Sequence, residues 1–527
     1  MKLAAFLLAS ALAFGCSAPA PRTASGLPVA RRPALTVVIV VDQLRADYLE
    51  RFGAQLTGGL GRLAREGTVY ANAHQDHAIP ETAPGHASVL SGRFPRSTGI
   101  FSNAINAEDP GAPLVAGTGY GSSPRRFRGS TLADWILARD PRSRILSVSR
   151  KDVGAIFTVG RARAEVYWYV EPGWFTTSTY YRDSLPDWVR RFNGRRMPYQ
   201  YAGKAWTPLL PDTAYAEPDS VEIESAGYFF TFPHVIPRDT LEAARLLIGW
   251  PWMDDVTVAF ALDGVDALAL GSGATTDLLV VALSTTDAIG HRFGPDSKEI
   301  HDQVLRLDRL LGRFMDSLEI LRPGGIAIAL TSDHGVASFP ELSAQGFAPG
   351  ARRVDLEHLV GAARSQMREH GVDTLSVELD RGIFFMDRRA FAGRSLDPDD
   401  VLRRFAAGAR EMPGVLRVDA LDDLERLERR GDPIARRWRN LIPPYAPAEL
   451  VITLEPHNVW LTLPNARHDS PHDYDTHVPL ILYGPWFAPG RRDEFVRVVD
   501  LAPTLARLLG VRASEPIDGR VLPRALH

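Results

Sequence analysis

The chain of 527 residues has almost no cysteine and almost no net charge. Its single cysteine is Cys16, and its basic and acidic residues leave a formal charge of −3. One cysteine excludes an internal disulfide framework, and near neutrality argues against a protein that binds nucleic acid through its general charge. An anionic small molecule would therefore have to be attracted by a few local groups.

Low-complexity runs and internal repeats are also missing from the sequence. With 45% hydrophobic and 23% charged residues, the composition is that of an ordinary globular protein. The length suits one large α/β domain with insertions, or two domains. We expect a monomer that acts on a small molecule and does not bind nucleic acid.

The N-terminus predicts export. Lys2 precedes an apolar run over residues 3–14, which is too short to span a bilayer and ends just before Cys16. This pattern is typical of a secretory signal peptide, residues 1–15, and Cys16 is placed like the lipidated cysteine of bacterial lipoproteins. We expect a flexible tether over 16–33, membrane attachment through Cys16 and a periplasmic or outer-membrane location, with plain secretion as the alternative.

Three continuous apolar runs predict strands that are buried on both faces of a parallel sheet. They are Leu35–Val41, Asp277–Leu283 and Ile326–Leu330. Each run is followed closely by an aspartate: Asp42, Asp287 and Asp333, the last with His334 beside it. Open α/β sheets bind ligands at the carboxyl ends of their strands, so the three aspartates are expected to meet at one edge. A single aspartate in such a place is more often a helix cap.

Helical patterns alternate with these strands. Apolar residues recur at helical spacing over Lys298–Leu321, and a last strand pattern lies at 479–484. We therefore predict an α/β fold over residues 34–527, with a mostly parallel central sheet flanked by helices on both faces. An aromatic-rich segment of about 157–262 and an Arg- and Asp-rich segment of about 347–449 are predicted to be insertions over the active face.

The segment 79–90 predicts a loop that brings one hydroxyl, that of Thr82, to the start of a helix. Pro84 suits a first helical turn, and the unpaired N–H groups of a helix start favour an anion. Taken alone, the pattern is better explained by Thr82 as the N-cap than by Thr82 as a nucleophile. The decision between them depends on the rest of the chain.

Two candidate metal sets can be assembled from these segments. Asp287 and His291 are four residues apart, so a helix would point both the same way. With His477, just before the last strand pattern, they suit a catalytic Zn²⁺ that keeps an open position. The second set is Asp42, Asp333 and His334, with Thr82 as a fourth ligand. Two metal ions about 3.5–4 Å apart suit phosphoryl transfer.

Further histidines lie near these motifs. We expect them to be loop or core residues more often than groups that orient the ligands. They are His74, His77, His86, His468 and His472.

Together these motifs resemble the alkaline phosphatase superfamily. The matching segments are Asp42, the run Thr-Ala-Pro-Gly-His-Ala-Ser from Thr82, Asp-Ala-Ile-Gly-His from Asp287, Ser-Asp-His-Gly from Ser332 and Tyr-Asp-Thr-His-Val-Pro from Tyr474. The chain is most similar to bacterial alkaline phosphatases with a threonine nucleophile, which are related to nucleotide pyrophosphatase/phosphodiesterases. The resemblance implies the sandwich fold of that family and two Zn²⁺ ions. It implies one ion on Asp42, Asp333 and His334, and the other on Asp287, His291 and His477.

The resemblance also implies hydrolysis of phosphate monoesters through a phosphothreonine at Thr82. In the similar monoesterases an asparagine binds the phosphate, together with a lysine and an arginine two residues further on. Asn103 and Lys151 match the first two, but Val153 stands at the arginine position. Because a charge-assisted hydrogen bond contributes about 1.5–3 kcal/mol, this substitution weakens the preference for monoesters.

Two alternatives therefore stay open. Val153 favours a phosphodiesterase or nucleotide pyrophosphatase on the same site, whereas Lys151 favours a dianionic monoester, and Arg150 or Arg292 could replace the missing arginine. The second alternative is a non-catalytic lipoprotein that binds phosphate or a partner. Such a protein would lack a metal ligand or the nucleophile, and none of these residues is missing from the sequence. A sulfatase is not expected, because no cysteine beyond the signal region could become formylglycine.

Overall fold

The structure is a computed structural model and describes residues 32–461 and 465–527. The predicted signal peptide, Cys16 and most of the predicted tether lie outside the described residues, so export and lipidation stay predictions. Within the described ranges, no helix is both long enough and apolar enough to cross a membrane.

The strands are named in chain order. They are β1 Leu35–Val41, β2 Thr68–His74, β3 Ile145–Ser149, β4 Glu165–Val170, β5 Trp174–Thr176, β6 Ala205–Trp206, β7 His234–Val235, β8 Asp277–Leu283, β9 Ile326–Thr331, β10 Arg353–Val354, β11 Val377–Asp380, β12 Ile383–Met386, β13 Val415–Ala420, β14 Ala448–Leu454, β15 Val459–Trp460, β16 Leu480–Tyr483 and β17 Gly490–Arg497.

The α-helices are named in the same way. They are α1 Tyr48–Arg51, α2 Gly59–Glu66, α3 Thr82–Val89, α4 Pro95–Thr98, α5 Leu132–Arg139, α6 Asp152–Val159, α7 Asp187–Gly194, α8 Thr240–Leu246, α9 Trp252–Ala267, α10 Thr285–Phe293, α11 Lys298–Leu321, α12 Pro340–Gln345, α13 Glu357–Glu369, α14 Pro398–Arg410, α15 Leu424–Arg429, α16 Pro433–Leu441, α17 Asp473–Thr476 and α18 Leu501–Leu509.

A nine-stranded sheet forms the centre of the molecule, in the order β17-β2-β16-β9-β1-β8-β3-β4-β5. The adjacent strands β9, β1, β8, β3 and β4 pair in parallel. β16 runs antiparallel to both of its neighbours, and β5 runs antiparallel to β4. The prediction of a mostly parallel central sheet flanked by helices is confirmed.

Both faces of this sheet are covered. In β1, Val37 and Ile39 face the apolar layer that contains α2, α9 and α11, whereas Val38 and Val40 face the layer of α3, α5, α6 and α18. Alternate residues of a strand point to opposite faces. An uninterrupted apolar run is therefore what a strand between two helical layers requires.

The first predicted insertion, about 157–262, contains parts of the central layer. β4 and β5 extend the central sheet beyond β3, and α9 packs against β3 and β8. Between β5 and α9 lies the short pairing of β6 with β7. The aromatic side chains of Tyr167, Trp188 and Phe260 pack on one another in the core.

The second predicted insertion, about 347–449, forms a separate antiparallel sheet in the order β11-β12-β14-β13. α13 and α14 share one apolar cluster with this sheet. Because β14 belongs to the sheet and β10 pairs with β15, the unit extends to Trp460, beyond the predicted boundary. A second cluster packs Ile383 and Trp438 of the unit against Ala78 and Ile79, just before α3.

The first predicted insertion, about 157–262, also contains a buried carboxyl group, that of Glu224. Glu224 is 2% exposed, and burial, together with the carboxylates of Glu299, Asp219 and Asp296, raises its pKa to about 9 from the ordinary 4.5. Between these two values the folded chain binds the proton more tightly than the unfolded chain does. This contribution to stability is complete below the ordinary pKa and is lost as the pH rises towards 9.

Glu224→Gln is expected to remove that loss, since glutamine has nearly the same shape and cannot ionise. The Tm of the variant minus the Tm of the wild type should increase as the pH rises from about 5 to about 9. Thermal unfolding at both pH values measures the difference. A mutational shift in Tm that is the same at both pH values would contradict the assignment.

Candidate active site

The carboxyl ends of three neighbouring strands bring acidic residues to one edge of the sheet. Asp42 directly follows β1, Asp333 lies two residues beyond β9, and Asp287 lies in the first turn of α10, just after β8. β1 pairs in parallel register with both β8 and β9. Parallel strands in register end at the same edge, and the three carboxylates therefore meet there.

Asp42, Asp333 and His334 form one buried group. All three are 0% exposed, and their ligand atoms lie within 4.8 Å of one another. His334 Nε2 lies 3.2 Å from Asp42 Oδ1 and 3.5 Å from Asp333 Oδ2. His334 Nδ1 donates to the carbonyl of Gly335 at 2.9 Å, which leaves Nε2 as the ligand atom.

A second group forms around α10. Asp287 and His291 lie one turn apart, with His291 Nε2 at 3.1 Å from Asp287 Oδ1. His291 Nδ1 donates to the Ala466 carbonyl at 2.6 Å, and His468 Nδ1 donates to the Pro80 carbonyl at 2.8 Å. These bonds turn the two Nε2 atoms towards each other, 3.2 Å apart. The two rings therefore offer adjacent ligand atoms beside the carboxylate.

The two groups are contiguous. The rings of His334 and His468 stack with centres 3.7 Å apart, and the ligand atoms of Asp287, His334 and His468 lie within 4.8 Å of one another. The Lys151 ammonium lies between the groups, 2.6 Å from Asp42 Oδ2 and 2.7 Å from Asp287 Oδ2. The junction of the two groups therefore accommodates positive charge.

The electrostatics of the junction follow from these contacts. Burial lowers the pKa of Lys151, but the carboxylates of Asp287 and Asp42 raise it above its ordinary value. Burial and Asp287 raise the pKa of Asp42, but Lys151 and His334 bring it below its ordinary value. The Lys151 ammonium and the Asp42 carboxylate therefore stabilise each other's charged form.

The donor set fits Zn²⁺. Asp42 Oδ1 and His334 Nε2 are buried, and neither forms a hydrogen bond in the part of the chain that the structure describes. The other oxygen of Asp42 faces the Lys151 ammonium, and Asp333 Oδ2 lies 3.1 Å from His86 Nδ1. Buried polar atoms without such partners are costly unless they bind a cation. Burial lowers the pKa of His468, which favours the neutral imidazole that binds zinc.

Thr82 and Asn103 lie beside this junction. Thr82 is the first residue of α3, and Glu81 is the N-cap. The Thr82 hydroxyl therefore does not cap the helix, and Lys151 Nζ donates to it at 3.1 Å. Asn103 Oδ1 accepts a hydrogen bond from the Ala83 N–H at 2.8 Å, which leaves the Nδ2 amide group to donate to another partner.

The family model described as type I phosphodiesterase / nucleotide pyrophosphatase matches residues 36–382 of this chain. The chain belongs to this family. It is 30% identical over 532 residues to the alkaline phosphatase PafA of Elizabethkingia meningoseptica, with 94% of this chain and 95% of that protein covered. It is 29% identical over 521 residues to the alkaline phosphatase PhoV of Synechococcus elongatus, with 93% and 92% covered.

The crystal structure of wild-type PafA has the same fold. It matches with a TM-score of 0.87 at 28% identity, covering 95% of this chain and 100% of that one. This member of the phosphodiesterase/pyrophosphatase family is therefore a phosphoric ester hydrolase, and its alkaline phosphatase relatives imply dependence on metal ions. The predicted relationship to the alkaline phosphatase superfamily is confirmed.

The structure does not bring His477 to the other predicted ligands of this family member. His477 Nε2 donates to the Ala71 carbonyl at 2.7 Å, and its ring stacks on that of His74. His477 follows α17 and forms an antiparallel bridge with His74, which ties it to the end of β2. His468, which the sequence placed among loop or core histidines, replaces it beside Asp287 and His291.

No sequence pattern distinguishes these two histidines. Both precede β16, and His477 lies nearer to it in a motif that resembles the family. The path of the chain between β15 and β16 decides which ring reaches the site. His468 is 5% exposed and lies against His291 and His334.

Two residues that the sequence did not assign orient the ligands. Gln43 donates its backbone N–H to Asp333 Oδ1 at 3.1 Å and its side-chain Nε2 to Asp287 Oδ1 at 2.9 Å, so one residue holds a carboxylate of each group. His86 Nδ1 lies 3.1 Å from Asp333 Oδ2 and 2.9 Å from the Thr82 carbonyl oxygen. The one sequence feature that could have indicated the role of Gln43 is its position directly after Asp42.

Val153 lies in the first turn of α6, two residues after Lys151. A cavity of about 400 Å³ beside Lys151 is lined by Val153, Arg150 and Trp168, among other residues. The buried Nε of Arg150 has no hydrogen-bond partner among the described residues. Arg292, by contrast, donates to Ser225 Oγ at 2.7 Å. Of the two arginines considered as substitutes, Arg150 therefore lines the cavity next to Lys151.

His468→Ala is expected to lower the zinc content by about one ion per chain, because it removes a candidate ligand atom beside Asp287. His477→Ala is the matched control, since the His477 side chain contacts Ala71 and His74, and this variant should keep the zinc content of the wild type. Elemental analysis after dialysis against equal free zinc measures the content. Zinc loss in His477→Ala with full retention in His468→Ala would contradict the assignment.

Proposed function

We propose that this hydrolase cleaves phosphate monoesters through a covalent phosphothreonine at a site for two Zn²⁺ ions. One observation carries the proposal. The Lys151 ammonium lies within 3.1 Å of the Thr82 hydroxyl and within 2.7 Å of the Asp42 and Asp287 carboxylates. A nucleophile, a phosphate-binding cation and ligands of both metal groups thus meet at one point.

Each proposed metal site takes its ligands from one of the two groups. The first ion would be held by Asp42, Asp333 and His334 together with Thr82, and the second by Asp287, His291 and His468. Bound zinc lowers the pKa of a hydroxyl group and stabilises negative charge on a leaving oxygen.

Thr82 is positioned as the nucleophile. It stands at the N-terminus of α3, where the helix favours an anion, and its carbonyl oxygen lies 2.9 Å from His86 Nδ1. The deprotonated Thr82 oxygen bonds to phosphorus as the bond to the alcohol breaks, and the alcohol oxygen takes up a proton. Water then attacks the phosphothreonine, inorganic phosphate departs, and the Thr82 hydroxyl is restored.

Asn103 and Lys151 bind the phosphoryl oxygens in this proposal. The Asn103 carbonyl oxygen is occupied by the Ala83 N–H, so the amide N–H groups are the ones presented to phosphate. Lys151 adds a charge-assisted hydrogen bond, which contributes about 1.5–3 kcal/mol. A full positive charge beside the nucleophile favours the dianion of a monoester over the monoanion of a diester.

A phosphodiesterase on the same site is the second candidate. Val153 and the cavity of about 400 Å³ beside Lys151 support it, since an apolar wall accommodates the second substituent of a diester. Arg150 in the same cavity supports the monoesterase instead, because a guanidinium beside Lys151 attracts the second phosphate charge.

The cellular setting is proposed from the sequence alone. The pattern of residues 1–16 supports export across the inner membrane and attachment through a lipidated Cys16. In this setting the enzyme would work as a monomer on small phosphate esters in the periplasm or at the outer membrane.

Thr82→Ala is expected to keep the zinc ions and to lose turnover of an aryl phosphate by roughly a thousandfold or more. Thr82→Ser, which keeps a hydroxyl, is the matched control and should retain much of the activity. Acid quenching during turnover, followed by mass spectrometry of peptides, should detect phosphate on residue 82 in the wild type. Substantial turnover by Thr82→Ala would refute the nucleophile.

Val153→Arg is expected to raise kcat/KM for an aryl phosphate monoester by roughly tenfold to a hundredfold, because it adds a charge-assisted hydrogen bond. The methyl diester of the same phosphate should gain nothing, and Val153→Leu controls for bulk. Steady-state kinetics on both substrates measure the preference. A wild-type preference for the diester would favour the phosphodiesterase instead.

A further inference from the structure

Arg381 lies in the two-residue turn that joins β11 to β12. Its φ is 44° and that of Gly382 is 88°, as two-residue hairpin turns require. Glycine is needed at 382, where a Cβ would lie 2.5 Å from the Ile452 carbonyl oxygen. Arginine is uncommon in the left-handed region, so the contacts that the Arg381 side chain makes from this turn are of interest.

The Arg381 side chain reaches from the second insertion to the nucleophile segment. Its guanidinium forms an ion pair with the Glu81 carboxylate and donates to Ser102 Oγ at 2.8 Å. Glu81 precedes Thr82, and Ser102 precedes Asn103. One guanidinium therefore contacts the residue before the nucleophile and the residue before the proposed phosphate ligand.

Glu81 connects Arg381 to Asn103. Its Oε2 accepts the backbone N–H of Asn103 at 2.8 Å, and the Asn103 side chain accepts the Ala83 N–H at 2.8 Å. The backbone and the side chain of Asn103 are thus both tied to the start of α3. The direction of its Nδ2 amide group depends on these two bonds.

The charges explain why an arginine is needed at this point. Glu81 is 3% exposed, and a buried carboxylate beside a bound dianion would repel it. Arg381 compensates this charge, and Asp380 fixes the guanidinium through two hydrogen bonds of 2.8 Å each. Removal of one partner of a buried ion pair leaves the other uncompensated.

We propose that Arg381 is a positioning residue for phosphate binding. Through Glu81 it holds the backbone of Asn103 where the side-chain amide donates to a phosphoryl oxygen. This inference rests on the proposed role of Asn103. It makes the second insertion part of the phosphate-binding apparatus, and the packing of Ile383 against Ile79 and Ala78 keeps the two units together.

A double-mutant cycle with Asn103 tests this inference. Arg381→Met is expected to weaken competitive inhibition by inorganic phosphate, and to raise KM for an aryl phosphate, by roughly tenfold. The zinc content should stay unchanged and kcat should fall less. In the Asn103→Ala background the same change should have no further effect on phosphate affinity, because Arg381 acts through Asn103. Additive losses, or an unchanged affinity in Arg381→Met, would overturn the inference.

The chain offers matched controls. Arg381→Lys keeps the charge beside Glu81 and should restore most of the phosphate affinity. Arg388→Met removes another ion-paired arginine of the same insertion, one that contacts Asp399 and Glu449, and should leave phosphate affinity unchanged. If Arg381→Met is unfolded at the assay temperature, Arg381→Gln carries the same test.

The outcomes separate this inference from the proposed function. If Asn103→Ala leaves phosphate affinity unchanged, the proposed role of Asn103 fails, and the inference fails with it. If Asn103→Ala weakens binding but Arg381→Met does not, the inference alone fails. If Arg381→Met, Asn103→Ala and the double variant all lose phosphate affinity to the same extent, both the proposed role of Asn103 and the inference about Arg381 are supported.

Discussion

The burial of several carboxylates at one edge of the central sheet is the constraint on which the rest of the structure depends. Asp42, Asp287 and Asp333 come from three adjacent strand ends, and each is at most 5% exposed. Uncompensated ions in such a place cost several kcal/mol each. The surroundings therefore supply positive charge and N–H donors, above all Lys151 and Gln43. The same density of charge is what a pair of metal ions requires.

Support for this edge comes from distant parts of the chain. Lys151 lies in the turn after β3, and His468 lies in the segment before β16. The second insertion contributes Arg381, which contacts Glu81 beside the proposed nucleophile Thr82. The insertion is therefore more than a cover over the site, because its hairpin turn reaches the residues that present Thr82 and Asn103.

Much of the fold was predictable because the sheet is buried on both faces. The strands predicted at Leu35–Val41 and Asp277–Leu283 have those bounds in the structure, and the helix predicted at Lys298–Leu321 also has them. The limits of the insertions were less predictable. β4 joins the central sheet although it lies in the aromatic-rich segment that was predicted to be an insertion, and only strand pairing shows this. Local sequence patterns indicate which residues are buried and whether a segment is a helix or a strand. They do not indicate which strands pair, because the partners are distant in sequence.

The sequence by itself determined the helix start at Thr82, the proposed nucleophile. It also determined the residues that follow apolar strands, and with them Asp42, Asp287 and Asp333. The reason is that a parallel sheet brings its strand ends together whatever the loops do. Only the tertiary structure decided between His468 and His477, since loop paths, not periodicity, set which ring reaches Asp287. Tertiary structure alone also placed Arg381 at Glu81, a contact that spans 300 residues of chain and leaves no local pattern.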